Sequence, residues 1–228
     1  MKRNRWNSLY RWFSIPLLAF LVAGCEIKTE TNIFTADLLE VIDTGTVLQT
    51  SSQLIIEIPS SGKCAETTGK LLPMLQGTFG EEVTGKGCHD EGMSSYIAFG
   101  LTLPIYLETT EQKGDSPIAI VISKQDDWHK VQMAVNVMRM DNLARMISDE
   151  FFQSVDFSTA KSKLNISNDL RQSVTIRIRG AFVNGDPVQE YTDYTLDRRD
   201  ELDVMLSNVG SAMVFGKGQS TLFLIQLI

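Results

Sequence analysis

Three cysteines and two histidines are the side chains of this 228-residue sequence best suited to chemistry beyond packing. Cys64, Cys88 and His89 have the donor types of a zinc site, but no fourth ligand stands at a suitable spacing. His89 lies between Cys88 and Asp90 in a polar stretch, and His129 follows Asp126-Asp127-Trp128. A serine hydrolase would need one of these imidazoles held by a carboxylate and facing a serine. No Gly-x-Ser-x-Gly elbow offers that serine, so both histidines read as surface residues. Gly85-Lys86-Gly87 and Gly216-Lys217-Gly218 lack the longer glycine-lysine spacing that wraps amides around a phosphate. The acids at Asp126-Asp127 and from Asp197 to Asp203 lack the interleaving of a calcium loop. Arg177 and Arg179 share one strand face with Thr175, and in an acidic chain they are expected to pair with neighbouring acids. The residues point to no catalytic group, no cofactor and no metal site.

The strongest chemical signal is at Cys25. Lys2, Arg3, Arg5 and Arg11 precede an apolar run from Phe13 to Ala23, and small residues Ala23 and Gly24 stand immediately before the cysteine. Basic region, short apolar core and small cleavage-site residues are the parts of an export signal, and the core is too short to span a bilayer. The order Val22-Ala23-Gly24-Cys25 resembles the lipobox of bacterial lipoproteins. That resemblance implies cleavage after Gly24, a diacylglyceryl thioether on Cys25 and acylation of the new amine, which together give firm anchoring. It also implies, from Glu26 in place of the Asp that marks inner-membrane retention, sorting to the periplasmic face of the outer membrane. With Cys25 committed to lipid, Cys64 and Cys88 remain as an even pair in an oxidising compartment, and a disulfide is the expected use of them. Its loop of about 25 residues makes it worth roughly 3–4 kcal/mol in chain-entropy terms.

The net charge of −7 becomes −11 once the four basic residues of the leader are removed. So acidic a domain lacks the basic stripe that nucleic acid demands, and anionic head groups would repel it. Attachment should therefore rest on acyl chains.

The elements that must carry these residues are read as follows. Residues 1–24 are a signal peptide, 25–33 a polar lipidated tether, and 34–228 a single globular domain. Thr35 should cap a short helix that Gly45 stops, and 53–58 should be a strand. A helix is expected over 64–76, a polar loop over 81–92, and strands over 95–101, 103–108, 117–123 and 130–140. Asp141 should open a helix through Phe151. Residues 173–183 and 188–196 read as a hairpin about Asn184-Gly185, 197–208 as a helix, and 212–215 and 221–228 as strands. The sum is an α+β fold, a largely antiparallel sheet with three to four short helices packed on it.

Lipobox, one disulfide, an acidic domain and no catalytic motif together resemble small accessory lipoproteins of phage or prophage origin. The function this implies is binding at the envelope surface, to an envelope protein or a lipid. A carrier of an apolar ligand would instead need a continuous cavity of several hundred Å3, and an envelope hydrolase would need His89 or His129 beside a serine and a carboxylate.

Overall fold

The computed structural model describes residues 25–111, 115–152 and 154–227. The signal peptide expected over 1–24, with its cleavage residue Gly24, lies outside them.

The first described element is a strand, β1 (Ile27–Phe34), where a tether was expected. Its odd positions Ile27, Thr29, Thr31 and Ile33 are buried, while Lys28, Glu30 and Asn32 face outward. These inward residues are all β-branched, which suits a pleated strand. Helix α1 (Thr35–Thr44) follows and ends at Gly45, whose φ of 70° takes the left-handed position that glycine fills at least cost. Then come β2 (Leu48–Ile58), α2 (Cys64–Phe79), β3 (Thr84–Glu91) and β4 (Ser94–Leu107). β4 runs straight through Pro104, which falls in a gap along one edge, after β3 pairs through Gly100 and before β5 (Ile118–Gln125) begins at Ile105. A missing N–H costs little at such a position.

β6 (Trp128–Val135) stops five residues before the expected end, because Asn136 caps α3 (Val137–Phe151) by accepting from the Arg139 amide. β7 (Lys161–Ser167), β8 (Val174–Ile178), β9 (Ala181–Val183), β10 (Asp186–Val188) and β11 (Thr192–Leu196) follow. β12 (Glu201–Leu206) replaces the helix expected over 197–208, burying Leu202, Val204 and Leu206 and exposing Glu201, Asp203 and Met205. α4 (Asn208–Lys217) replaces the strand expected over 212–215, with Ser207 as its cap, and β13 (Gln219–Leu227) closes the chain.

These exchanges overturn the α+β reading. Strands make up 47% of the structure against 29% helix, and they join into one nearly closed, barrel-like sheet rather than a sheet with helices layered on it. The strand order is β10-β9-β12-β7-β1-β2-β4-β5-β6-β13-β8-β11, with β3 added at β4. The two ends of that order are the same piece of chain. β8 and β9 are one strand interrupted at Arg179-Gly180; β8 pairs with β13, and β9 pairs with β12. Gly180 has φ 66°, and its amide donates to the Val188 carbonyl at 2.7 Å, so the hairpin bends there and spans the seam. Two joints are parallel: β4 with the next strand β5, and β1 with β7, whose paired residues lie far apart in sequence.

The inward residues form one core, with Phe99, Phe223, Ile105, Ile120, Leu54 and Leu75 among its fully buried members. Where β7, β1 and β2 meet, that core is polar. Thr29 donates to Ser162 at 3.0 Å and Thr31 lies 2.8 Å from Ser52, every one of them buried. The hydroxyls satisfy one another, as burial requires.

Candidate functional site at Cys25

Only Glu26 separates Cys25 from β1, and Glu26 is itself held. Its amide donates to the Glu57 carboxylate at 3.1 Å and its carbonyl accepts from the Glu57 amide at 2.9 Å. Its carboxylate accepts from Tyr96 at 2.5 Å and pairs with Lys161 and Lys28. Lys28 stands 4.1 Å above the Tyr96 ring and reaches Glu91 at 2.7 Å, while His89, the residue of β3 paired with Tyr96, stacks against it with ring centroids 5.7 Å apart. Burial pushes the Glu26 carboxyl up, but hydrogen bonds from Lys161 and Tyr96 and the charges of Lys28 and Lys161 outweigh it and hold the group below the usual carboxylate range.

Cys25 is half-buried. Its thiol donates to the Glu57 carbonyl at 2.8 Å, and its side chain lines a narrow crevice with Ile56, Ile58, Leu71, Ile147 and Phe151. Burial, reinforced by the Glu57 charge, pushes this thiol up to about 12. As a free thiol it is therefore a poor nucleophile in the folded domain, since the thiolate is the reactive form.

Cys64 and Cys88 form a disulfide that ties the first residue of α2 to β3. The two thiols are thereby consumed, which removes the zinc alternative with His89. The polar loop expected over 81–92 is mostly this strand; β3 hangs on β4 alone, and its side chains are exposed apart from the half-buried Cys88. His89 is exposed and His129 half-buried, and neither hydrogen-bonds a serine or a carboxylate among the described residues. Burial, with the Lys124 charge, pushes His129 down from its ordinary value.

Arg177 does pair with an acid, in a two-pronged contact to Asp193 at 2.5 and 2.8 Å, and its guanidinium lies 4.3 Å above the Trp128 ring. Arg179 lies 4.5 Å above Tyr191, which is half exposed. Pairs of this kind form an aromatic-cationic ridge on the outer face where β6, β13, β8 and β11 adjoin. Sequence reasoning passed over Tyr96, Glu57 and Lys161 because each reaches Glu26 only through long-range strand pairing, and Lys28, two residues away, because it read as part of a polar tether.

The enclosed apolar spaces are small. A void among Thr31, Ser52, Leu101, Met133 and Phe215 holds about 10 Å3, and the crevice at Cys25 about 20 Å3. That is room for roughly one water molecule each. The larger hollows, of about 510 and 370 Å3, are open grooves rich in polar groups around Arg139.

A family described as Domain of unknown function (DUF7424) matches residues 27–227. The chain belongs to that family. No curated protein and no solved structure matches it. The DUF7424 match begins at the first residue of β1, so residues 1–26, Cys25 among them, lie outside the matched segment.

Proposed function

We propose that this chain is an envelope lipoprotein, anchored through acyl groups on Cys25 to the periplasmic face of the outer membrane, and that it acts by binding rather than by catalysis. The observation that carries the reading is the junction at Cys25. A lipobox-like sequence ends where the folded domain begins, with a single residue between the two. Among the described residues no helix is long and apolar enough to cross a membrane. Because Cys25 packs against the Glu57 carbonyl in the folded domain, thioether formation on this reading precedes that packing.

The filled interior favours binding over carriage, because voids of about 10 and 20 Å3 have no room for an acyl chain. The ridge of half-buried Trp128 and Arg177 with exposed Tyr191 and Arg179 is suited to meet an envelope partner, since Trp, Tyr and Arg are enriched among the side chains that dominate interface energies. Intact mass spectrometry of the full chain extracted from bacterial membranes tests the anchor. The expected species begins at Cys25, carries acyl groups and is two hydrogens lighter for its disulfide. A species beginning at Met1, or at Cys25 without acyl groups, overturns it.

A further inference from the structure

We infer that the end of the barrel around Cys25 is a bilayer-contact surface on which Met93 and Phe152 enter the lipid interface beside the anchor. The inference rests on the anchoring reading for its partner but on separate residues for its geometry. Met93 occupies the two-residue turn between β3 and β4 and is 105% exposed. The neighbouring Ser94 hydroxyl donates to the Glu57 carboxylate at 2.7 Å, and the carbonyl of that same glutamate accepts from Cys25. Phe152 is 95% exposed and follows Phe151, which lines the Cys25 crevice. Two fully exposed apolar side chains thus flank the attachment point.

Neither has a use inside the fold. Phe152 caps α3 with φ 53°, a left-handed position where glycine or asparagine is the ordinary choice. An aromatic ring there is disfavoured by its Cβ and again by its contact with water. Both costs are offset if the ring rests at the head-group level, where aromatic side chains collect. Some of the nearby charge is already matched, since Lys28 is paired with Glu26 and Glu91, and Lys70 with Glu150. The occupant follows from the chain itself. The 24 residues that precede Cys25, with their apolar run, or the acyl groups that replace them, join the described chain at this end of the molecule. With Cys25, Met93 and Phe152 as three points of contact, the domain stands on the membrane in one orientation, with β2, about 33 Å long over its eleven residues, leading away from the surface.

The test is tryptophan quenching in vesicles of phosphatidylethanolamine and phosphatidylglycerol that carry brominated acyl chains. Full chains bearing Phe152→Trp, Met93→Trp or, at the far end of β2, Gln49→Trp are extracted from bacteria and reconstituted. The native Trp128, with Trp6 and Trp12 in any chain that keeps residues 1–24, gives a background common to all three. Bromolipid is expected to remove about half of the added emission at positions 152 and 93 and little at 49, as for residues seated at an interface. Equal quenching at all three positions overturns the inference. Intact mass of the same samples reads the anchor independently. If it shows neither acyl groups nor leader, the anchoring reading fails; quenching at 152 and 93 on added vesicles would still support the contact surface, and its absence would refute that too.

Discussion

The hydroxyl pairs inside the barrel make a sharp prediction. Ser52 is 5% and Thr31 1% exposed, and their oxygens are 2.8 Å apart. The Ser52 hydrogen is committed to the Glu30 carbonyl at 3.0 Å, so Thr31 is the donor in the pair. Thr31→Val removes that donor but leaves Ser52 bonded, and should cost about 0.5–1.5 kcal/mol. Ser52→Ala is worse, because the Thr31 hydroxyl is then buried without a partner, a loss of about 1–3 kcal/mol. The double variant replaces both partners with apolar groups of similar shape, and Val keeps the β-branch that β1 prefers. Its cost should fall below the sum of the single losses by about 1–2 kcal/mol. Urea unfolding followed by circular dichroism reads this from the three midpoints, provided the slopes agree. Losses that add to within about 0.5 kcal/mol would refute the claim that these groups satisfy each other in a closed interior.

Three further outcomes follow from the geometry. Replacing Cys64 and Cys88 by serine should lower stability by about 3.5 kcal/mol for a 24-residue separation, seen as a lower melting temperature that a reductant also produces in the parent. Gly180→Ala should cost about 1 kcal/mol in the same urea assay, since no atom lies within 4 Å of the added Cβ and only its φ of 66° is strained. Glu26→Gln should be destabilising at neutral pH, and the gap to the parent should close on acidification. The Glu26 carboxyl is held below its unfolded value, so its contribution is complete above the unfolded pKa of about 4.3 and disappears as pH falls through the folded one. A gap that is constant from neutral pH down to pH 3 would show that the charge of Glu26 is not what matters.

How much of this was legible in the sequence varied with where the apolar residues sat. β5, β6 and β8 carry an unmistakable apolar pattern, and they stand where the sequence put them, within a few residues. β1 was missed because two of its four inward positions are threonines, so a strand at the heart of the sheet reads as a polar tether. Its β-branched residues at every second position were the overlooked sign. The stretch Leu202, Val204, Met205, Leu206 supplied enough apolar residues to suggest a helix, yet only the alternate ones are buried. Helix α4 was mistaken for a strand because Ala212 to Phe215 is short and apolar, a length at which periodicity cannot decide. What outweighed it was the Ser207 cap. Barrel closure had no local signature at all, since it depends on Gly180 splitting one strand between two partners. At the site, Cys25 and the Cys64–Cys88 bond were visible as residue types, but the ring of groups around Glu26 was not, being assembled by pairing across the sheet.

The position of β13 has a consequence for how the molecule is made. This strand is the last described in sequence, yet it is an interior strand of the order, inserted between β6 and β8. β1, made first, pairs with β7, more than 130 residues later. Contact order is therefore high at both ends of the chain, and folding should be slow and late. Until Gln219–Leu227 emerges, β6 and β8 present bare edges that invite wrong pairing or aggregation. A polypeptide built this way completes its sheet only after its last strand is available, an order of events compatible with the export proposed above.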